Sequence, residues 1–211
     1  MMKFLRKNIG YPAVSGLVPN GLNNDFYSDR YFKNTELANK YLNEYKKIND
    51  IDNISLDLTT DAQYLDILEF IQSELKSLGI DLKINITPPS ILRQGKATGK
   101  FSVFRASWIA DYANPENYFS LFYSKNHTPY GPNYTFFQNE EYDKLYEQTL
   151  SLNKKDELNK IYEKLEEIIS EFSPIIPLYY DMSVRLKQKN IFGLTNNPLN
   201  ILDLKTVYKK K

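Results

Sequence analysis

There is no cysteine among the 211 residues, and only one histidine, His127. The first absence removes disulfides, thiolate nucleophiles and cysteine-based zinc sites together, and it leaves the compartment open because a cysteine-free chain works in either redox environment. The second leaves no partner histidine for a metal or a familiar triad, and His127 reads as a solvent-exposed loop residue within the polar stretch SKNHTPYGPN. No metal or cofactor is expected. Also missing are a G-x-S-x-G elbow, a Walker loop and a dinucleotide fingerprint, which weakens hydrolase, nucleotide-binding and dehydrogenase readings. Neither sign of charge dominates: 27 Lys and Arg stand against 26 Asp and Glu. The two signs are interleaved, so the chain offers no continuous nucleic-acid footprint and no nucleic-acid partner is expected. Long apolar runs are absent too. The opening MMKFLRKNIGYPAVSG is basic but has no stretch apolar enough for a secretory signal or a membrane span, so as it stands the chain would remain inside the cell, with no direct membrane insertion.

What is present is the composition of a folded domain, 42% hydrophobic and 25% charged, long enough to bury a core without staples. After a loop-like opening over residues 10–34, TELANKYLNEYKKI spaces Leu37, Tyr41, Leu42, Tyr45 and Ile48 as one helical stripe. Ile54, Leu56 and Leu58 then alternate with polar residues as a half-buried strand does. From Ala62 to Leu78 the period returns to helical, with Gly79 as the stop, and Ile80, Leu82, Ile84 and Ile86 alternate again. Strand, helix and strand within about 35 residues is the size of a crossover unit, which predicts two parallel strands. Pro88 and Pro89 precede a short helix near residues 90–98, and KFSVFRASWIADY reads as a third strand. The second half is helical over EEYDKLYEQTLSL and KDELNKIYEKLEEIISEF, the latter with Leu158, Ile161, Tyr162, Leu165, Ile168, Ile169 and Phe172 on one face. IIPLYYDMSVRL follows as a strand whose Pro177 argues for an edge or an irregular start, and KTVYKKK closes as a short strand with a frayed basic end. The fold class is α/β.

Among the many carboxylates, Asp111 and Glu116 form the best candidate pair for acid/base work. Asp111 ends the expected third strand, where a carboxylate needs a cation or donors; the alternative is a turn or cap role in DYANP. Glu116 follows Asn114 and Pro115, which read as N-cap and N1, so its simplest role is to offset the helix dipole.

The segment GKFSVFRASWIADYANPENY resembles the signature of the family 5 solute-binding proteins, the dipeptide and oligopeptide receptors of ABC importers, in which a strand ends in W-x-A-D-Y before a helix opened by a D/N/E-P pair. Its flanks agree in order. SGLVPNGL is similar to the family's V/I-P-x-G turn, LANKYLNEY to the helix before the lobe's first strand, and FIQSELKSLGIDLKI to its helix-to-strand step. YTFFQNEEYDKLYEQ resembles the N-x-E-Y-D helix, and IYEKLEEIISEFSPIIPLYY the long helix ending in P-x-I-P.

The resemblance implies the C-terminal lobe of a type II (cluster C) periplasmic-binding-protein-like fold, a mixed sheet flanked by helices. Residues 1–211 would form that lobe, with about 190–211 returning toward a missing N-terminal lobe. It implies a binding protein and not an enzyme, whose partners are a peptide ligand and an ABC permease and ATPase. Asp111 matches the carboxylate that pairs with a peptide's α-ammonium group, and main chain around Ser107, Trp108, Ile109 and Ala110 would pair with the extended peptide. Trp108 would line a side-chain pocket or serve as a core tryptophan beside the sheet. Arg105 would meet a ligand carboxylate or form an internal ion pair, and Tyr112 would pack at the lobe surface. Ser102 departs from the family's G-x-F-D, and much of the ligand choice lies in the absent lobe. A full-length member is periplasmic or a cell-surface lipoprotein; without signal or lipid-attachment cysteine this sequence reads as a fragment, a trimmed expression product or the product of a split gene. A carboxylate-dependent hydrolase using Asp111 and Glu116, or a non-transporting remnant of a receptor gene, are the rival readings.

Overall fold

The computed structural model describes residues 1–19, 21–22, 29–197 and 199–210. The loop expected over 10–34 therefore falls partly outside the described residues, at Asn20 and 23–28, as does Lys211 of the basic end. A one-turn helix α1 (Met2–Leu5) opens the chain, and Tyr11–Pro12 forms a short strand β1. The stripe at 35–48 becomes α2 (Thr35–Asn49), whose first turn is capped by Asn34 Oδ1 accepting from Leu37 N–H at 2.9 Å.

The two alternating runs become β2 (Ile54–Thr60) and β3 (Ile80–Ile86), joined by α3 (Leu65–Ser77). They pair in parallel with Ile54, Leu56 and Leu58 opposite Ile80, Leu82 and Ile84, so the apolar residues of both strands share one face. The other face is polar, where Asn85 Nδ2 donates to Asp57 Oδ1 at 3.0 Å. Helix α3 packs on β3, with Ile67, Leu68 and Leu82 buried. Gly79 takes φ +75°, the left-handed geometry that turns the chain from α3 into β3.

After α4 (Pro89–Ala97) the expected long third strand is much shorter: only Val103–Phe104, β4, joins the sheet, in the order β3-β2-β4. The register gives the reason. Phe104 lies opposite Thr59, and β2 ends one residue later at Thr60, so everything from Ala106 onward runs past the last rung. Asp111 therefore does not end a buried strand; it sits exposed in a bend seven residues after Phe104.

The main core lies in the second half, around α5 (Glu116–Phe119), α6 (Glu140–Thr149) and α7 (Lys155–Phe172). Five of the stripe positions predicted for α7 (Ile161, Tyr162, Leu165, Ile168 and Ile169) are buried, whereas Phe172 at the helix end is exposed. The run 175–186 contributes only β5 (Tyr179–Tyr180), antiparallel to β1, in keeping with the irregular start that Pro177 suggested. A last ribbon pairs β6 (Ile191–Phe192) with β7 (Tyr208–Lys209).

Candidate ligand-binding site

Because β2, β3 and β4 run parallel, their carboxyl ends share one edge of the sheet, the edge at which open α/β sheets bind ligands. An open recess of about 410 Å³ lies there, lined by Asp61, Gln63, Thr87 and Pro88 among others. Arg105 leaves the sheet at the same edge. Its N–H donates to the Thr59 carbonyl at 3.0 Å, and its guanidinium lies 3.3 Å from the centre of the Tyr64 ring. Among the described residues it has no ion pair, so the internal salt bridge considered for it is not made. Tyr64 is placed by a single helical turn after β2, which Asp61 caps by accepting from Gln63 N–H at 3.0 Å.

Beyond Arg105, the main chain from Ala106 to Ile109 makes no hydrogen bond to another described residue. Ser107 and Ile109 are exposed, Ile109 at 67%. Ala110 differs, because its side chain is buried in the core and its backbone is hydrogen-bonded to the Tyr118 hydroxyl. Trp108 is half-buried against the same core, and its indole Nε1–H donates to Asn117 Oδ1 at 2.8 Å. Asp111 presents an exposed carboxylate that forms no ion pair with any described residue, while its N–H donates to Asn117 Oδ1 at 3.2 Å.

Glu116 stands in the first turn of α5, where an acid offsets the helix dipole, but it has closer partners as well. It is buried, and its two carboxylate oxygens accept from the Tyr112 and Tyr146 hydroxyls. Burial first, and the Glu116 hydrogen bond second, push both phenols up from their ordinary range, which keeps them as donors. The N-cap position falls on Pro115, one residue later than expected, while Asn114 Oδ1 accepts from Glu116 N–H at 2.9 Å and from the Tyr162 hydroxyl at 3.1 Å. Tyr162 is itself pushed up to about 12 by burial. Buried and bonded to two phenols, Glu116 is turned away from solvent, which counts against the pairing that a hydrolase reading required. Tyr112 packs at the surface, 47% exposed, with its hydroxyl donating to Glu116.

His127 is half-buried rather than solvent-exposed, its Nε2 3.0 Å from the Phe137 carbonyl in a loop that the Asn133 side chain holds together. Among the described residues no group of three or more acidic or histidine side chains is arranged to hold a metal, and no helix is long and apolar enough to cross a membrane. Sequence reasoning missed Asn117 and Tyr64. Asn117 had one readable signal, a carboxamide beside Tyr118 and Phe119 in a segment bound for the core, where a polar group must find partners.

Residues 1–130 match the family described as bacterial extracellular solute-binding proteins, family 5 Middle. The chain belongs to that family. Its relatives within the family include the dipeptide-binding protein DppE of Bacillus subtilis, 28% identical over 97% of this chain and 39% of DppE. The periplasmic murein peptide-binding protein MppA of Escherichia coli is 32% identical over 63% of this chain and 24% of its own length. The chain thus spans about two fifths of DppE. Among solved structures, the periplasmic binding protein DppA of Helicobacter pylori in complex with the peptide STSA superposes with a TM-score of 0.83 at 22% identity, over 100% of this chain and 41% of that one. The unliganded open form of MppA gives 0.79 at 25% identity, over 99% and 41%. These matches establish the family 5 fold, a type II periplasmic-binding-protein architecture, and the relatives named are binding proteins rather than enzymes.

Proposed function

We propose that this chain forms the second lobe of a receptor that binds peptide outside the cytoplasmic membrane and delivers it to an ABC permease and ATPase, without a catalytic step. The observation that carries the reading is the overhang past β4: main chain from Ala106 to Ile109 with no hydrogen-bond partner among the described residues, ending at an exposed Asp111 that forms no ion pair with any of them. Unpaired strand main chain is a template for an extended peptide, each bond contributing about 0.5–1.5 kcal/mol without consulting side chains. The carboxylate would read the α-ammonium group that every linear peptide shares, for roughly 1.5–3 kcal/mol. Trp108 would wall a side-chain pocket, and Arg105, held on Tyr64 and without an ion pair among the described residues, would meet a ligand carboxylate. The dipeptide- and murein peptide-binding names of the relatives support a peptide as the ligand. Closure of two lobes over the ligand is the proposed mechanism, with residues from about 190 onward returning to the other lobe.

The test is a substitution in the complete receptor. Asp111→Asn should lower affinity for free peptides about tenfold or more by calorimetry and change it little for N-acetylated ones. Equal loss for both classes would reject the ammonium pairing.

A further inference from the structure

Asn117 is 4% exposed, and its Oδ1 accepts from two residues of the overhang at once, Trp108 Nε1–H at 2.8 Å and Asp111 N–H at 3.2 Å. A carboxamide oxygen has two lone pairs, so both are committed. The side chain also shares a hydrogen bond with the Tyr112 hydroxyl, and the backbone carbonyl accepts from Ser120 Oγ at 2.8 Å. Its base is packed into the core: two residues on, Phe119 is fully buried and stacked on Tyr162 of α7, centroids 5.1 Å apart at 10°. The overhang, by contrast, is tied among the described residues to the sheet at Arg105 N–H, and its main chain is next held only at Ala110, bonded to the Tyr118 hydroxyl, and at Asp111 N–H. Between Arg105 and Ala110, Trp108 is the one residue whose side chain donates to a described residue of the core.

We propose that Asn117 is a positioning residue of the ligand site, which transmits the fixed geometry of the helical core to the exposed segment by holding Trp108 in the middle and Asp111 at the end. It touches no ligand. Without it, Trp108 and Asp111 lose their common anchor, and the segment between them no longer stands extended for pairing. This rests on the reading of Ala106–Asp111 as the peptide-contacting segment.

Trp108 is the only tryptophan in the 211 residues, so the emission of this chain reports on that indole alone. Asn117→Leu keeps the bulk and removes the acceptor. In this variant the emission maximum should shift and acrylamide quenching should rise, while Asn117→Asp, which retains an acceptor oxygen, should restore the wild-type emission. In the complete receptor Asn117→Leu should weaken free and N-acetylated peptides alike, by about tenfold, unlike Asp111→Asn, which spares the acetylated class. Unchanged emission and quenching in Asn117→Leu would overturn the proposal, and so would altered emission with wild-type affinity. Should Asn117→Leu not fold, the wild type decides: the indole Nε1 proton must exchange slowly with solvent, and rapid exchange overturns the proposal. If Asp111→Asn proves unselective while the indole still responds to Asn117, the ammonium reading fails and the anchor stands.

Discussion

Glu166 occupies the middle of α7 with 2% of its surface exposed, and its Oε1 accepts from Leu17 N–H at 2.7 Å and Val18 N–H at 3.3 Å. The loop comes that close because Gly16, at φ +134°, has no Cβ; one placed there would fall 2.6 Å from the carboxylate. Oε2 has no hydrogen-bond partner among the described residues, and Arg30, whose charge acts on it, is shared with Glu163 at 3.8 Å and Glu167 at 3.7 Å. Burial therefore outweighs the two N–H donors and Arg30, and the carboxyl is pushed up from 4.5 to about 7. A carboxyl raised in the folded state holds its proton there at pH values where the unfolded chain has released it. Its effect is to lower stability as pH rises from near 4.5, with the full loss reached above about 7, at most about 3 kcal/mol. Glu166→Gln should erase that slope. Urea unfolding at pH 5 and pH 8 should show the Gln variant gaining on the wild type between the two, by about 2 kcal/mol; a difference independent of pH would refute the raised carboxyl. Nothing in the sequence marked Glu166, since one acid in a helix with five neighbours of the same sign looks solvated until the loop that covers it is seen. Asp111 was singled out for the opposite reason, since a motif surrounds it.

At the scale of elements, the periods of two and 3.6 carried β2, α3, β3 and α7, because in each the buried face is set within the segment itself. They failed for 100–112, where an apolar run reads alike whether or not a neighbour strand is there to pair with it. The limit is the end of β2 at Thr60, a fact about another element. The two ribbons β1–β5 and β6–β7 pair segments far apart in the chain, and no local pattern announces such pairing. How β4 reaches the sheet depends on α4, where Gly95 is buried against the Phe101 ring and accepts from Lys100 N–H at 2.8 Å. Alanine suits a helix better than glycine by about 1 kcal/mol, but a Cβ at this site overlaps the ring, and overpacking costs about 1–3 kcal/mol. The second effect should win. Gly95→Ala is expected to destabilise the chain by up to about 2 kcal/mol, and the same substitution in a Phe101→Ala background should be neutral or stabilising. Identical effects in both backgrounds, read from denaturation midpoints, would show that the ring contact is not the cause.

For the molecule as a whole, stability is distributed unevenly, and the unevenness follows the chain. The cluster around α5, α6 and α7 buries its aromatic residues, whereas the stretch after β5 shows apolar side chains to solvent, with Leu186 at 95% and Val184 at 64%. Leu202 and Leu204 are likewise exposed, and the ties in this stretch are mainly side-chain bonds such as Arg185 to the Asn200 carbonyl at 2.7 Å. Apolar surface gathered in extended segments costs free energy unless something covers it. On the two-lobe reading the cover is the other lobe, so the same residues should behave differently in this chain and in the complete receptor. Hydrogen exchange resolves such differences, because local opening needs little free energy where few contacts are broken. In the 211-residue chain the amides of 182–189 and 194–206 should exchange at close to unfolded rates, while those of Ile161–Ile169 in α7 are the slowest. In the complete receptor the tail amides should slow by about a hundredfold or more, the factor that about 3 kcal/mol of added burial provides, with α7 changing far less. Equal rates for the tail in the two forms would mean that the exposed leucines face solvent in the receptor as well, and the return of the chain toward a second lobe would be wrong.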